Sequence, residues 1–312
     1  MIQMTYQRII GIIIILISCN ALNSCQNNDQ QAENGKLNIT ATTGIIKDAI
    51  ENIAKDRVNL VALMGPGVDP HLYKTSYRDI EKLSDADIIF YNGLHLEGKM
   101  QDVLQRLSRN KKVYAISDGI PKKMLRNIPG GTTAHDPHIW FNVILWQHAV
   151  RHIGKKLIEA DPINKDFYEE NQAIYLKKLS KLDSFTRAQI ETIPPAKRVL
   201  ITAHDAFGYF GDEYDIEVKG LQGISTMSDF GLNDISSLVN LISKRGIKAI
   251  FVETSVARKS IDAVIEGCEQ RGSKIKIGGS LYSDALGDRG SPEGTYIGMV
   301  LYNVTTIVNS LK

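Results

Sequence analysis

The sequence predicts an α/β protein of two lobes, each a parallel sheet flanked by helices, the two joined by one long rigid backbone helix. Two observations carry that prediction. Short apolar runs alternate with longer amphipathic stretches in both halves of the chain, the βα rhythm of parallel sheets. Between Pro162 and Pro194 there is neither glycine nor proline, so nothing interrupts a helix over that whole stretch.

The leading residues stand apart from the fold. Arg8 is the only charged residue before Asp29, and an apolar run from Ile9 to Ile17 follows it. A run of that length is too short for a bilayer, which needs roughly 20 apolar residues, but it suits the central region of a signal peptide. Two cysteines sit where a lipidated first residue would be, in Leu16-Ile17-Ser18-Cys19 and Leu22-Asn23-Ser24-Cys25. Cys19 has the better preceding residues, whereas Cys25 has the more usual distance to the folded part. The alternative is ordinary secretory cleavage beside incidental cysteines. Residues 1–25 are therefore expected to form a signal peptide and anchor region. Residues 26–36, rich in Asn, Gln and Asp, read as a solvated tether.

Residues 37–160 are expected to form the first lobe, with strands over Leu37–Ala41, Asn59–Met64, Ala86–Tyr91 and Lys112–Ile116, and a helix over Ile45–Ala54. Asp161-Pro162 is a good helix start. Tyr168, Tyr175, Leu179 and Leu182 then recur at helical spacing among Lys and Glu. A helix of about 30 residues within 161–193 would be roughly 45 Å long; two shorter helices with a bend are the alternative. The second lobe, 194–312, should carry strands at Arg198–Thr202, Glu217–Gly220, Ile247–Val252 and Lys274–Gly278, with helices at Leu232–Arg245 and Ser260–Arg271.

Composition excludes several classes. Removing Arg8 with the leader takes the formal net charge from +2 to +1, and no basic stripe suggests nucleic acid. Beyond residue 25 the one cysteine is Cys268, which rules out an internal disulfide or a cysteine-type zinc site. It reads as a buried, inert thiol.

Of the seven histidines, three stand where a strand gives way to a loop: His71, His138 and His204. Ligands in open α/β sheets bind outside the carboxyl ends of the strands, so these three are placed for a shared site. Asp284, again just after a strand, is a fourth candidate. Asp-Pro-His occurs at 69–71 and at 136–138, and each proline restricts its neighbours, so each histidine is held in one direction. All three histidines have an aspartate one or two residues away. That matters because a metal-bound imidazole usually donates its second N–H to a carboxylate or carbonyl.

Longer motifs add a resemblance. Gly-Pro-Gly-Val-Asp-Pro-His-Leu-Tyr at 65–73, Asn-Gly-Leu-His-Leu-Glu-Gly at 92–98 and His-Asp-Pro-His-Ile-Trp-Phe at 135–141 are similar to those of the zinc- and manganese-binding solute-binding proteins of ABC transporters. So are Ala-His-Asp-Ala-Phe-Gly-Tyr-Phe at 203–210, Phe-Val-Glu-Thr at 251–254 and Ser-Asp-Ala-Leu-Gly at 283–287. The resemblance runs in order from about Leu37 to the C-terminus. It implies a lipid-anchored, exported monomer in the periplasm or at the cell surface that serves a membrane permease rather than catalysing a reaction. It also implies one divalent transition-metal ion between the lobes, held by His71, His138, His204 and Asp284. Manganese-type members often have glutamate where this chain has His204. Zinc-uptake members often have a histidine-rich loop that this chain lacks before His135. Four N/O ligands describe a closed holding site, and raw affinity favours zinc over manganese or iron in it.

Several signals are set aside. Gly93 to Lys99 matches the start of a phosphate-binding loop, but Met100 replaces the hydroxyl residue that would reach magnesium, and Glu97 would repel phosphate. His148 and His152 have zinc-compatible spacing without the glutamate of a metalloprotease helix. Met227, Phe207, Tyr209 and Phe210 read as packing around the cleft. Glu253 ends a strand beside the expected site, where it could support a ligand or serve structure alone. Two other functions remain from sequence: a zinc hydrolase with Asp284 as base, which needs a water position, and a metal-stabilised surface adhesin.

Overall fold

The computed structural model describes residues 35–128, 133–228 and 230–312. The leader, both lipobox cysteines Cys19 and Cys25, and the tether up to residue 34 lie outside them. In the first lobe the elements run β1 (Leu37–Ala41), α1 (Gly44–Ala54), β2 (Val58–Ala62), α2 (Tyr77–Asp85), β3 (Ile88–Tyr91), α3 (Gln101–Leu107), β4 (Lys112–Ala115) and α4 (Val143–Ala160). The four strands are parallel in the order β2-β1-β3-β4. Strand side chains alternate between faces, and both faces are covered. Ile39, Ala41, Ile88 and Phe90 enter the main core with residues of α1 and α4. Ile89 faces the other way with Leu63, Leu83 and Leu104. Side-chain caps define the helix starts: Thr43 accepts from Ile46 N, Ser76 and Asp79 form a capping box, and Asn142 accepts from Ile144 and Leu145 N.

The expected bridge forms as a single helix, α5 (Lys165–Glu191), after a short 3-10 turn at Pro162–Asn164. Its 27 residues span about 40 Å. Tyr168, Tyr175, Leu179, Leu182, Thr186 and Ile190 form its buried stripe. That stripe packs first on α1 and α4, then on two helices of the second lobe, so both lobes hang on one continuous helix.

The second lobe runs β5 (Val199–His204), α6 (Gly208–Tyr214), β6 (Glu217–Gln222), α7 (Leu232–Arg245), β7 (Ala249–Glu253), α8 (Lys259–Gln270), β8 (Lys276–Leu281) and α9 (Tyr296–Leu311). β5 pairs with β6 and β7 with β8, all parallel, and β5 lies beside β7. Leu200 and Phe251 face the main core, while Val199, Ile201 and Ile250 pack with residues of α7 and α8, including the buried Cys268.

Strand ends differ from the sequence reading where they matter most. β5 runs on to His204 itself, and β8 reaches Leu281 rather than stopping at Gly278. Glycine inside a strand weakens it and often marks a bulge. Here the Gly278-Gly279 pair forms an irregularity opposite Ile250 and Phe251. A Cβ on Gly278 would stand 2.8 Å from the Phe251 ring, so the missing side chain lets the strand continue over the phenylalanine.

A buried acid joins three helices. Asp48 of α1 accepts a 3.0 Å hydrogen bond from the Tyr175 hydroxyl of α5 and also faces the backbone of Tyr296 in α9. Burial pushes its pKa from the usual 3.8 to about 6, against the pull of the Tyr175 hydrogen bond. The folded state thus holds a proton that the unfolded chain gives up between pH 3.8 and about 6, and stability falls as pH rises through that window. Asp48→Asn should therefore gain stability at pH 7, up to about 3 kcal/mol, and gain little at pH 4. Urea unfolding at both pH values checks this; an equal change at both would overturn it.

Candidate metal centre

Each expected ligand is aimed by its local backbone. His71 follows the loop after β2, where Asp69 Oδ1 accepts its backbone N–H at 2.8 Å. The other Asp69 oxygen accepts 2.6 Å from the Thr226 hydroxyl of the second lobe. In the second Asp-Pro-His, Asp136 Oδ1 takes both the His138 backbone N–H at 3.0 Å and the ring Nδ1 at 2.8 Å. His204 is the last residue of β5, so the strand ladder sets its direction. Asp284 follows β8, where Ser283 O accepts 2.9 Å from Trp140 Nε1 of the first lobe.

These four side chains meet at the seam between the lobes. One ligand atom from each lies within 4.8 Å of the others. His71 Nε2 and His138 Nε2 are 3.3 Å apart. Asp284 Oδ2 is 3.3 Å from His204 Nε2 and 3.9 Å from His71 Nε2, and Oδ1 is 3.6 Å from His138 Nε2. Ligands about 2.0–2.1 Å from a tetrahedral ion stand roughly 3.3–3.4 Å apart, so the shorter edges fit such an ion directly. Both Asp284 oxygens turn inward, which also offers a bidentate carboxylate. All four residues are buried, and neither Asp284 oxygen nor His204 Nε2 has a hydrogen-bond partner among the described residues. Buried polar groups left in that condition are rare, and an ion at their centre satisfies them together.

Electrostatics separates His71 from His204. Burial pulls His71 down to about 3, despite the opposing charge of Asp284, so its nitrogen is a free lone pair at neutral pH. Burial acts the same way on His204, but the Glu253 and Asp284 carboxylates outweigh it and hold the ring well above its ordinary range. Asp284 is pushed up by burial, yet the nearby imidazoles, His204 first, hold it below the usual carboxylate range. The anionic ligand is thus ready for a cation, and a metal would displace the proton of His204.

Carboxylates behind the rings only partly follow the sequence. Asp136 holds the His138 ring. Asp69 holds His71 through its backbone instead. Behind His204 the partner is Glu253, at the end of β7, and not the neighbouring Asp205. Glu253 Oε2 lies 2.6 Å from His204 Nδ1, and Oε1 accepts the His204 backbone N–H at 2.9 Å. The signal in the sequence was a strand ending in glutamate toward the presumed site.

The signals set aside lie elsewhere. Glu97 is buried under its loop, where its carboxylate accepts from the Thr42 hydroxyl and from Asn92 and Gly93 N. His148 and His152 lie half-buried on α4, outside the cluster, and His95 contacts Gln101. Phe207, Tyr209 and Phe210 are buried near the cleft, whereas Met227 is 52% exposed and not part of that packing. A hydrolase with Asp284 standing off as base does not match a carboxylate turned into the cluster.

Known proteins share this arrangement of chain and fold. Residues 39–310 match the family model ZnuA, zinc-uptake complex component A, periplasmic. The chain is 49% identical over 298 residues to the manganese-binding lipoprotein MntA of Bacillus subtilis, covering 95% of each. It is 41% identical over 308 residues to the zinc-binding protein TroA of Treponema pallidum, covering 99% of each. The solved structure of periplasmic zinc binding protein TroA from Treponema pallidum superposes with a TM-score of 0.87 at 44% identity, covering 89% of this chain and 99% of that one.

Proposed function

Because this chain belongs to the ZnuA family of periplasmic zinc-uptake components, we propose that it captures one divalent transition-metal ion and delivers it to the permease of an ABC transporter. The ligands in this reading are His71, His138, His204 and Asp284. The observation that supports it most is their convergence from both lobes with unsatisfied atoms turned inward. The lobes are residues 37–160 and 194–312, with 161–193 linking them. The protein binds and releases its cargo without transforming it.

Three imidazoles and a carboxylate bind zinc ahead of manganese or iron by raw affinity. The relatives named for manganese and for zinc make both ions candidates for the physiological cargo. Export and attachment through Cys19 or Cys25 would keep a monomer beside its permease, and relatives are named as lipoproteins. Release requires the lobes to separate, because each contributes ligands.

One titration tests this reading. Protein stripped of metal should bind one equivalent of Zn²⁺. At about a thousand times its dissociation constant, the ion adds about 4 kcal/mol, which raises the unfolding midpoint by roughly 10 °C for a chain of this size. An unmoved midpoint with no metal retained after gel filtration would sink the proposal.

A further inference from the structure

The His138 loop is fastened to the second lobe by a side chain that packing alone does not explain. The Tyr209 hydroxyl, from α6, sits between two backbone groups of the first lobe. It donates to Asp136 O at 3.0 Å and accepts from Arg126 N at 2.9 Å. Tyr209 is buried, and burial pushes its pKa far above the ordinary phenol value, so the hydroxyl remains a donor. Beside it, Arg126 donates from Nη1 to Asp136 Oδ2 at 3.3 Å and from Nε to Asp212 Oδ2 of α6 at 3.1 Å. Asp136 is the carboxylate that holds the His138 ring. The guanidinium lies so close to α6 that a Cβ on Gly208 would stand 2.2 Å from Nη1, so glycine is needed there for the contact.

We infer that Tyr209 and Arg126 form a latch between the lobes that sets the rate of metal release, with Tyr209 as its main positioning residue. Opening the lobes breaks both Tyr209 hydrogen bonds and withdraws Asp212 from Arg126. The Tyr209 contacts carry more of the latch than the Arg126–Asp212 pair, because Asp212 is exposed and surface pairs contribute little, whereas unpaired buried backbone groups are costly. The Tyr209 hydroxyl touches no ligand atom. It acts on His138 through the backbone of Asp136, and the inference rests on His138 being a ligand.

The test is stopped-flow release of Zn²⁺ from the full chain to a chelator. Tyr209→Phe keeps the ring and removes only the hydroxyl. It should raise the dissociation rate about tenfold, leave the association rate within about threefold, and shrink the stabilisation that Zn²⁺ confers. Asp212→Asn, at the exposed end, should raise it by less than about threefold. A release rate unchanged in Tyr209→Phe would overturn the latch. So would an equal loss of stability with and without Zn²⁺, which would mark the tyrosine as structural only. Failure of the underlying metal site looks different: the unaltered protein would then bind no stoichiometric Zn²⁺.

Discussion

His138→Ala should weaken Zn²⁺ binding by two to three decades while the first lobe stays folded. Structural zinc binding is worth roughly 10–16 kcal/mol at neutral pH. Shared among four ligands, that is about 2.5–4 kcal/mol each, or roughly two to three powers of ten in affinity. The lobe should survive because the buried Asp136 is not orphaned: it keeps the backbone N–H of residue 138 and Arg126. The check is a competition titration against a chelator of known affinity, with circular dichroism as the control on folding. An unchanged dissociation constant in a folded variant would remove His138 from the coordination sphere.

Glu253→Gln should lower Zn²⁺ affinity ten- to a hundredfold, the usual effect of losing a carboxylate behind a metal-bound histidine. The amide oxygen can still accept the His204 backbone N–H, as Glu253 Oε1 does at 2.9 Å. What disappears is the negative charge 2.6 Å from His204 Nδ1. With it goes the pull that orients the ring and raises its basicity. Asp205→Asn should change affinity by less than about threefold, because Asp205 lies next to His204 in sequence but does not face its ring. The same competition titration ranks the two variants. Asp205→Asn being the weaker binder would refute the assignment of Glu253.

The contrast between Glu253 and Asp205 marks where reading the chain alone runs out. Both Asp-Pro-His turns put an aspartate near its histidine, yet Asp136 reaches the His138 ring while Asp69 holds only the His71 backbone, so spacing alone did not say which carboxylate would serve a ring. The partner of His204 was not legible, because Glu253 lies 49 residues further on and meets the ring only where β7 runs beside β5. Asp205 is adjacent in sequence, but the carboxylate at the ring is Glu253. The glycine pair in β8 misled for a related reason. The strand expected to stop at Gly278 carries an irregularity there, passes over the Phe251 ring and runs on to Leu281.

By itself the sequence determined the element types and the long helix, and it named the four residues that meet through their strand-end positions and the motifs they share with a known family. The elements and the helix rest on short-range physics: apolar periodicity and the absence of any helix breaker between Pro162 and Pro194. The tertiary structure alone decided which carboxylates stand behind the imidazoles, that both Asp284 oxygens turn inward, and that Tyr209 ties one lobe to the other. Those are contacts between residues far apart along the chain. They depend on how side chains from both lobes share one buried volume, which no local pattern encodes.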